Sequence, residues 1–69
     1  MKYRILDDSF FQNNPNCDVV IEYEFIETGD TYTLEIMSKY LKTEKDVEDW
    51  FYVNYSSRPV KMVAYSIRK

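Results

Sequence analysis

The sequence contains no histidine, one cysteine, one glycine and two prolines among its 69 residues. Each shortage removes a class of function. Without histidine, the commonest general base, proton shuttle and zinc ligand is missing. Cys17 has neither a second thiol nor an imidazole to work with, so nucleophilic catalysis and a thiolate metal centre lose support and a structural thiol is expected. A single cysteine also forms no internal disulfide, which favours a reducing, cytoplasmic setting. One glycine is too few for a phosphate-cradling loop. No apolar run approaches the ~20 residues of a membrane span, and the chain turns acidic at Asp7 and Asp8, where a secretory leader needs an apolar stretch. Without secretion, the Asn54-Tyr55-Ser56 sequon is expected to be accidental. No cofactor is indicated.

What remains is charge and aromatic surface. Nine basic and twelve acidic residues leave a net charge of −3, a balance that disfavours direct binding to nucleic acid. Apolar residues make up 45% of the chain and aromatics 17%, enough for one small core in a single domain over residues 1–69. A core of that size has little room for an internal pocket.

The pattern along the chain predicts strand, loop, hairpin, helix, strand. Lys2 to Leu6 reads as a first strand, with Tyr3 and Ile5 on one face. Asp7 to Asn16 reads as an irregular connection, because Asn and Asp bond to their own backbone and Pro15 lacks a donor. Phe10 and Phe11 are expected to tuck that loop against the core. Val19 to Glu27 and Thr31 to Leu41 alternate with a period of two, the mark of half-buried strands. Thr28-Gly29-Asp30 between them supplies the positive φ of a hairpin turn. Thr43 and Asp46 resemble a capping box, and Val47, Trp50, Phe51 and Asn54 mark one helical face. Arg58-Pro59 stops that helix. Val60 to Arg68 then forms a last strand, with Val63, Tyr65 and Ile67 inward. The fold class is α+β: a small, mostly antiparallel sheet of three to four strands with one amphipathic helix on one face, in the order β-β-β-α-β.

One helix covers one side of a sheet, so the other side meets water or a partner. Glu22, Glu24 and Glu35 should share that outer face. Paired carboxylates can cleave glycosides, but only in a desolvated cleft that raises one pKa. A solvated face with Lys2, Arg4, Lys39 and Lys61 nearby is favoured instead, and no enzyme is expected. Val20, Ile26, Met37 and Met62 interrupt the acids there. Such a mosaic suits protein contact as well as it suits ordinary surface. The seven tyrosines are too many for so small a core, so two or three should be exposed, and Tyr52 and Tyr55 flank the helical stripe. The candidate partner-binding residues are therefore Glu22, Glu24, Glu35, Tyr52 and Tyr55.

The stretch Thr43-Glu44-Lys45-Asp46-Val47-Glu48-Asp49-Trp50-Phe51-Tyr52 resembles the acidic helix of a type I-F anti-CRISPR protein. The format of strands, acidic helix and closing strand is similar to that of small phage-encoded inhibitors of RNA polymerase. The anti-CRISPR fold ends after helices whereas this chain ends in a strand, and no contact residue of either family falls in the matched segment. The resemblance implies a small inhibitor from a phage or mobile element that binds and blocks a host protein in the host cytoplasm. The rival expectation is a small structural or regulatory subunit that self-associates, as a homodimer, through its sheet.

Overall fold

The alternation of Val19, Ile21, Tyr23 and Phe25 with Val20, Glu22 and Glu24 builds β2 (Val19–Phe25), which pairs antiparallel with β3 (Thr31–Ile36). The computed structural model of the chain describes residues 3–68. In it, β1 (Arg4–Ile5) and β4 (Val60–Ile67) complete a four-stranded sheet in the order β1-β4-β2-β3. β4 runs antiparallel to β2, and β1 runs parallel to β4. The class is α+β with a mostly antiparallel sheet. Lys2, placed in the first strand by its alternation, lies outside the described residues.

α2 (Glu44–Asn54) lies across one face of the sheet. Val47 and Phe51 are fully buried and pack with Val19, Ile21, Ile36, Val60 and Met62. The helix begins where its local chemistry dictates. The Thr43 hydroxyl accepts the Asp46 N–H at 3.1 Å, and the Asp46 carboxylate accepts the Thr43 N–H at 3.2 Å and the Lys42 N–H at 3.1 Å. Those backbone donors, the Lys42 N–H first, hold the Asp46 carboxyl below its ordinary pKa. A depressed carboxyl contributes stability above the unfolded value of about 3.9, and the contribution is lost as pH falls through the folded value. Thr43→Ala should therefore cost about 1 kcal/mol, read as a lower urea midpoint at neutral pH. The gap to wild type should narrow on acidification, once Asp46 is protonated in both proteins.

Three elements depart from the sequence pattern. The segment after β1, expected to be irregular, contains α1 (Ser9–Asn13), packed on the sheet face opposite α2. It has no side-chain cap and no acid in its first turn, so tertiary contact rather than local propensity holds it. Phe11 buries against Cys17 and Val20, with Leu6 and Phe10 at the margin. The structure thus puts a helix on each face instead of one.

β3 ends at Ile36 instead of reaching Leu41: Ile36 pairs with Val19, the first residue of β2, and its carbonyl accepts the Asp18 N–H at 2.9 Å. Its turn also starts earlier than expected. Ile26 and Glu27 leave the strand, and Gly29, at φ 77°, donates its N–H to the Phe25 carbonyl at 2.8 Å.

Finally, β4 changes phase. Tyr23 opposes Met62 but Glu22 opposes Ala64, so Val63 is an extra residue in the ladder. Such a bulge reverses the facing of everything beyond it. Val60 and Met62 face α2 before the bulge, and Tyr65 and Ile67 face it afterwards. Val63 therefore does not lead the inward set, and Met62, expected on the outer face, is core.

Candidate interaction surface

The two registers place Glu22, Glu24 and Glu35 on the sheet face opposite α2, opposed by Thr33, Thr31 and Val20 respectively. Their surroundings differ. Arg4 lies on β1, separated from Glu22 by Ala64 on β4. The small alanine lets the guanidinium reach over and bond the Glu22 carboxylate at 2.9 Å. Lys61, directly opposite Glu24, sits 3.6 Å from it. Both glutamates are half-buried, whereas Glu35 is exposed on the outermost strand with no ion pair among the described residues. The first two carboxylates are locally neutralised, and the third presents its charge to solvent.

This face is only partly open. The α1 segment closes it over Val20, which is fully buried. Arg68 fastens that segment: its Nε donates to the Cys17 carbonyl at 2.7 Å, and one terminal nitrogen donates to the carbonyls of Asn14 at 2.9 Å and Phe11 at 3.4 Å. Its guanidinium also lies 4.8 Å from the Phe11 ring centre. The open remainder is the half carrying Glu22, Glu24, Thr31 and Thr33, with Glu35 at the margin beside Met37 and the Asn13–Cys17 loop.

Tyr52 and Tyr55 lie on the other side of the sheet, so the five candidate residues form two separate groups. Tyr55 stacks on Phe51 at 4.9 Å and 10°, and its ring centre is 5.5 Å from that of Tyr23. The Tyr52 hydroxyl accepts the Met62 N–H at 3.4 Å, and its ring meets Phe51 edge-on. Both complete the core margin, although Tyr52 keeps an exposed side. Nearby, Tyr3 is buried and donates its phenol proton to Glu48. Burial first, then the Glu48 carboxylate, pushes that phenol well above its ordinary pKa. Tyr65 shifts the same way, through burial and then Glu44.

The large apolar side chains most open to contact are mostly different ones. Tyr40 is 89% exposed, Met37 and Val53 are each 76% exposed, and Tyr32 is exposed on β3. Tyr40, Leu41, Trp50 and Val53 line a shallow groove of about 310 Å³ with Asp46 and Asp49. The alternation of Thr31 to Leu41 carries the expected strand through Tyr40. The early end of β3 frees it, and only the strand pairing carries that information.

Among the described residues, no three His, Cys, Asp or Glu side chains gather as around a metal ion. No described helix is long and apolar enough to cross a membrane. Neither a protein-family model, nor a curated protein, nor a solved structure matches the chain. The surface itself is therefore the basis for a functional reading.

Proposed function

We propose that this chain is a small non-enzymatic protein-binding module, an inhibitor of the kind phages and mobile elements direct at nucleic-acid-handling proteins of the host. It would act in the host cytoplasm by occluding a working surface of its target. The observation that carries the reading is the outer margin of the hairpin. There, the exposed carboxylate of Glu35, with no ion pair among the described residues, lies beside exposed Met37, and Tyr32 is exposed on the other face of the same strand. Exposed aromatic and thioether groups supply contact area, and an unscreened charge selects a basic partner and steers its approach. Nucleic-acid-handling proteins carry such basic surfaces.

The structure orders the candidates for a test. Reversing Glu22 or Glu24 would place a cation beside Arg4 or Lys61 and disturb the sheet, so Glu35 is the clean position. Immobilised protein exposed to a bacterial lysate should retain a basic nucleic-acid-handling protein, identified by mass spectrometry. Glu35→Lys should weaken that complex about tenfold or more, with the thermal midpoint unchanged. Tyr52→Phe, away from this margin, should bind as wild type. Equal affinity for Glu35→Lys would remove the hairpin margin from the interface. Self-association through the sheet is the second reading, favoured by the unpaired outer edge of β3. A concentration-dependent dimer in sedimentation equilibrium, in place of a lysate partner, would establish it.

A further inference from the structure

The outer edge of β3 has its own chemistry. The Phe25 N–H donates to the Asp30 carbonyl at 2.9 Å, so in this register Phe25, Tyr23, Ile21 and Val19 occupy the hydrogen-bonded pairs of the hairpin. Their partners in β3 turn their backbone groups toward β2. The alternate residues, Thr31, Thr33 and Glu35, turn N–H and C=O outward, where the sheet ends. All three are exposed. Natural edges are usually blunted by proline, lysine, a bulge or extreme shortness. Thr31–Ile36 has none of these, and its register with β2 is unbroken. The opposite edge is different: β1 is two residues long and carries Arg4.

We infer that β3 is a docking edge to which a partner adds an antiparallel strand of alternating basic and apolar residues. This rests on the protein-binding reading above and supplies its mode. Main-chain bonds to Thr31, Thr33 and Glu35 give affinity, and alternate side chains give selectivity. On one side of the added strand, the neighbours are Thr31, Thr33 and Glu35, with Glu22 and Glu24 one strand further in. That side takes lysine or arginine. On the other side, the neighbours are the exposed ring of Tyr32 and the half-buried Leu34, which take aliphatic side chains. Charge also decides against a second copy as occupant. Centring two β3 strands on Thr33 would set each Glu35 opposite the other copy's Thr31, one strand from its Glu24, between molecules of net charge −3.

The probe is a short blocked peptide of alternating lysine and valine, added to the full-length protein and followed by amide hydrogen exchange. Saturating peptide should slow exchange at Thr31, Thr33 and Glu35 at least tenfold and leave Tyr32 and Leu34, already bonded within the sheet, unchanged. In an antiparallel pair, the peptide residues bonded to these three share their face, so they are the lysines. Methylating every lysine amide nitrogen should abolish the protection, and a glutamate–valine peptide should give none. Glu35→Lys, which leaves the backbone intact, should weaken the peptide about tenfold or more. Binding that leaves the three amides unprotected, or survives the methylation, overturns the inference. Protection before any peptide is added, together with a dimer in sedimentation, assigns the edge to a second copy and also overturns it. Lysate capture reports whether a partner exists and these amides report how it docks, so either reading can fail alone.

Discussion

Phe51→Ala should leave the domain largely unfolded at room temperature. Phe51 is fully buried at the centre of an aromatic cluster, with ring centres of Tyr23, Tyr52 and Tyr55 at 5.7, 5.2 and 4.9 Å. Truncating a buried phenylalanine costs about 3–5 kcal/mol in lost transfer energy and residual cavity. A domain of this length has about 3–10 kcal/mol in total, at roughly 0.05–0.15 kcal/mol per residue. The loss is therefore comparable to the whole stability. Two of the rings around the cavity, Tyr23 and Tyr55, also pack on each other at 5.5 Å, so collapse into the space would break that contact. Urea denaturation followed by tryptophan fluorescence should show little or no folded baseline for the variant. Val53→Ala, two residues away on the exposed side of the same helix, should shift the midpoint by no more than about 0.5 kcal/mol. A wild-type midpoint for Phe51→Ala would mean that the core is not organised around this ring.

The second large effect is expected at Arg68. Its guanidinium joins three carbonyls of the α1 segment and the face of Phe11. Arg68→Ala removes charge-assisted bonds, and any carbonyl that cannot reach water is left unsatisfied, a loss of about 2–3 kcal/mol in total. Most of it should appear as local opening, because α1 has few other ties to the sheet. Cys17 offers a direct readout. It is buried in the same cluster, and its thiol donates to the Val19 carbonyl at 3.1 Å. Its reaction with a thiol reagent therefore waits for that segment to lift. In Arg68→Ala the labelling rate should rise on the order of thirty- to hundredfold, at 1.4 kcal/mol per factor of ten. Arg68→Lys should recover only part of this, since an ammonium cannot reproduce the planar fork. Unchanged labelling in both variants would assign the docking of α1 to Phe11 alone.

Sequence and structure agree where the determinants are local. The β2–β3 hairpin follows from period-two alternation and one glycine at positive φ. The start of α2 follows from Thr43 and Asp46 bonding each other's backbone. Both are settled within a few residues, so both are legible. The parallel pairing of β1 with β4 depends on residues some sixty positions apart, and no local pattern announces it. α1 has no capping bond from Asp8 and no acid in its first turn, and it is held where Phe11 and Arg68 meet across the fold.

The candidate site divides the same way. That Glu22, Glu24 and Glu35 share a face follows from alternation. Their unequal charge does not, because Arg4 and Lys61 come from strands distant in the chain. Tyr52 and Tyr55 read as surface residues because a helical wheel cannot foresee that the rings of Phe51 and Tyr23 rise to meet them.

The extra residue at Val63 has one more consequence. It gives the closing strand one residue of slack. Many side chains would serve at that position, which is half-buried. Removing the position altogether would make the ladder regular, with Ala64 still opposite Glu22, Tyr65 opposite Ile21 and Ile67 opposite Val19, so Tyr65 and Ile67 would go on facing α2. Ala64 would stay between Arg4 and Glu22, and the ion pair over it would persist. A single deletion at this point of β4 would be absorbed, whereas one inside β3, whose register with β2 is unbroken, would exchange the inward and outward side chains beyond it.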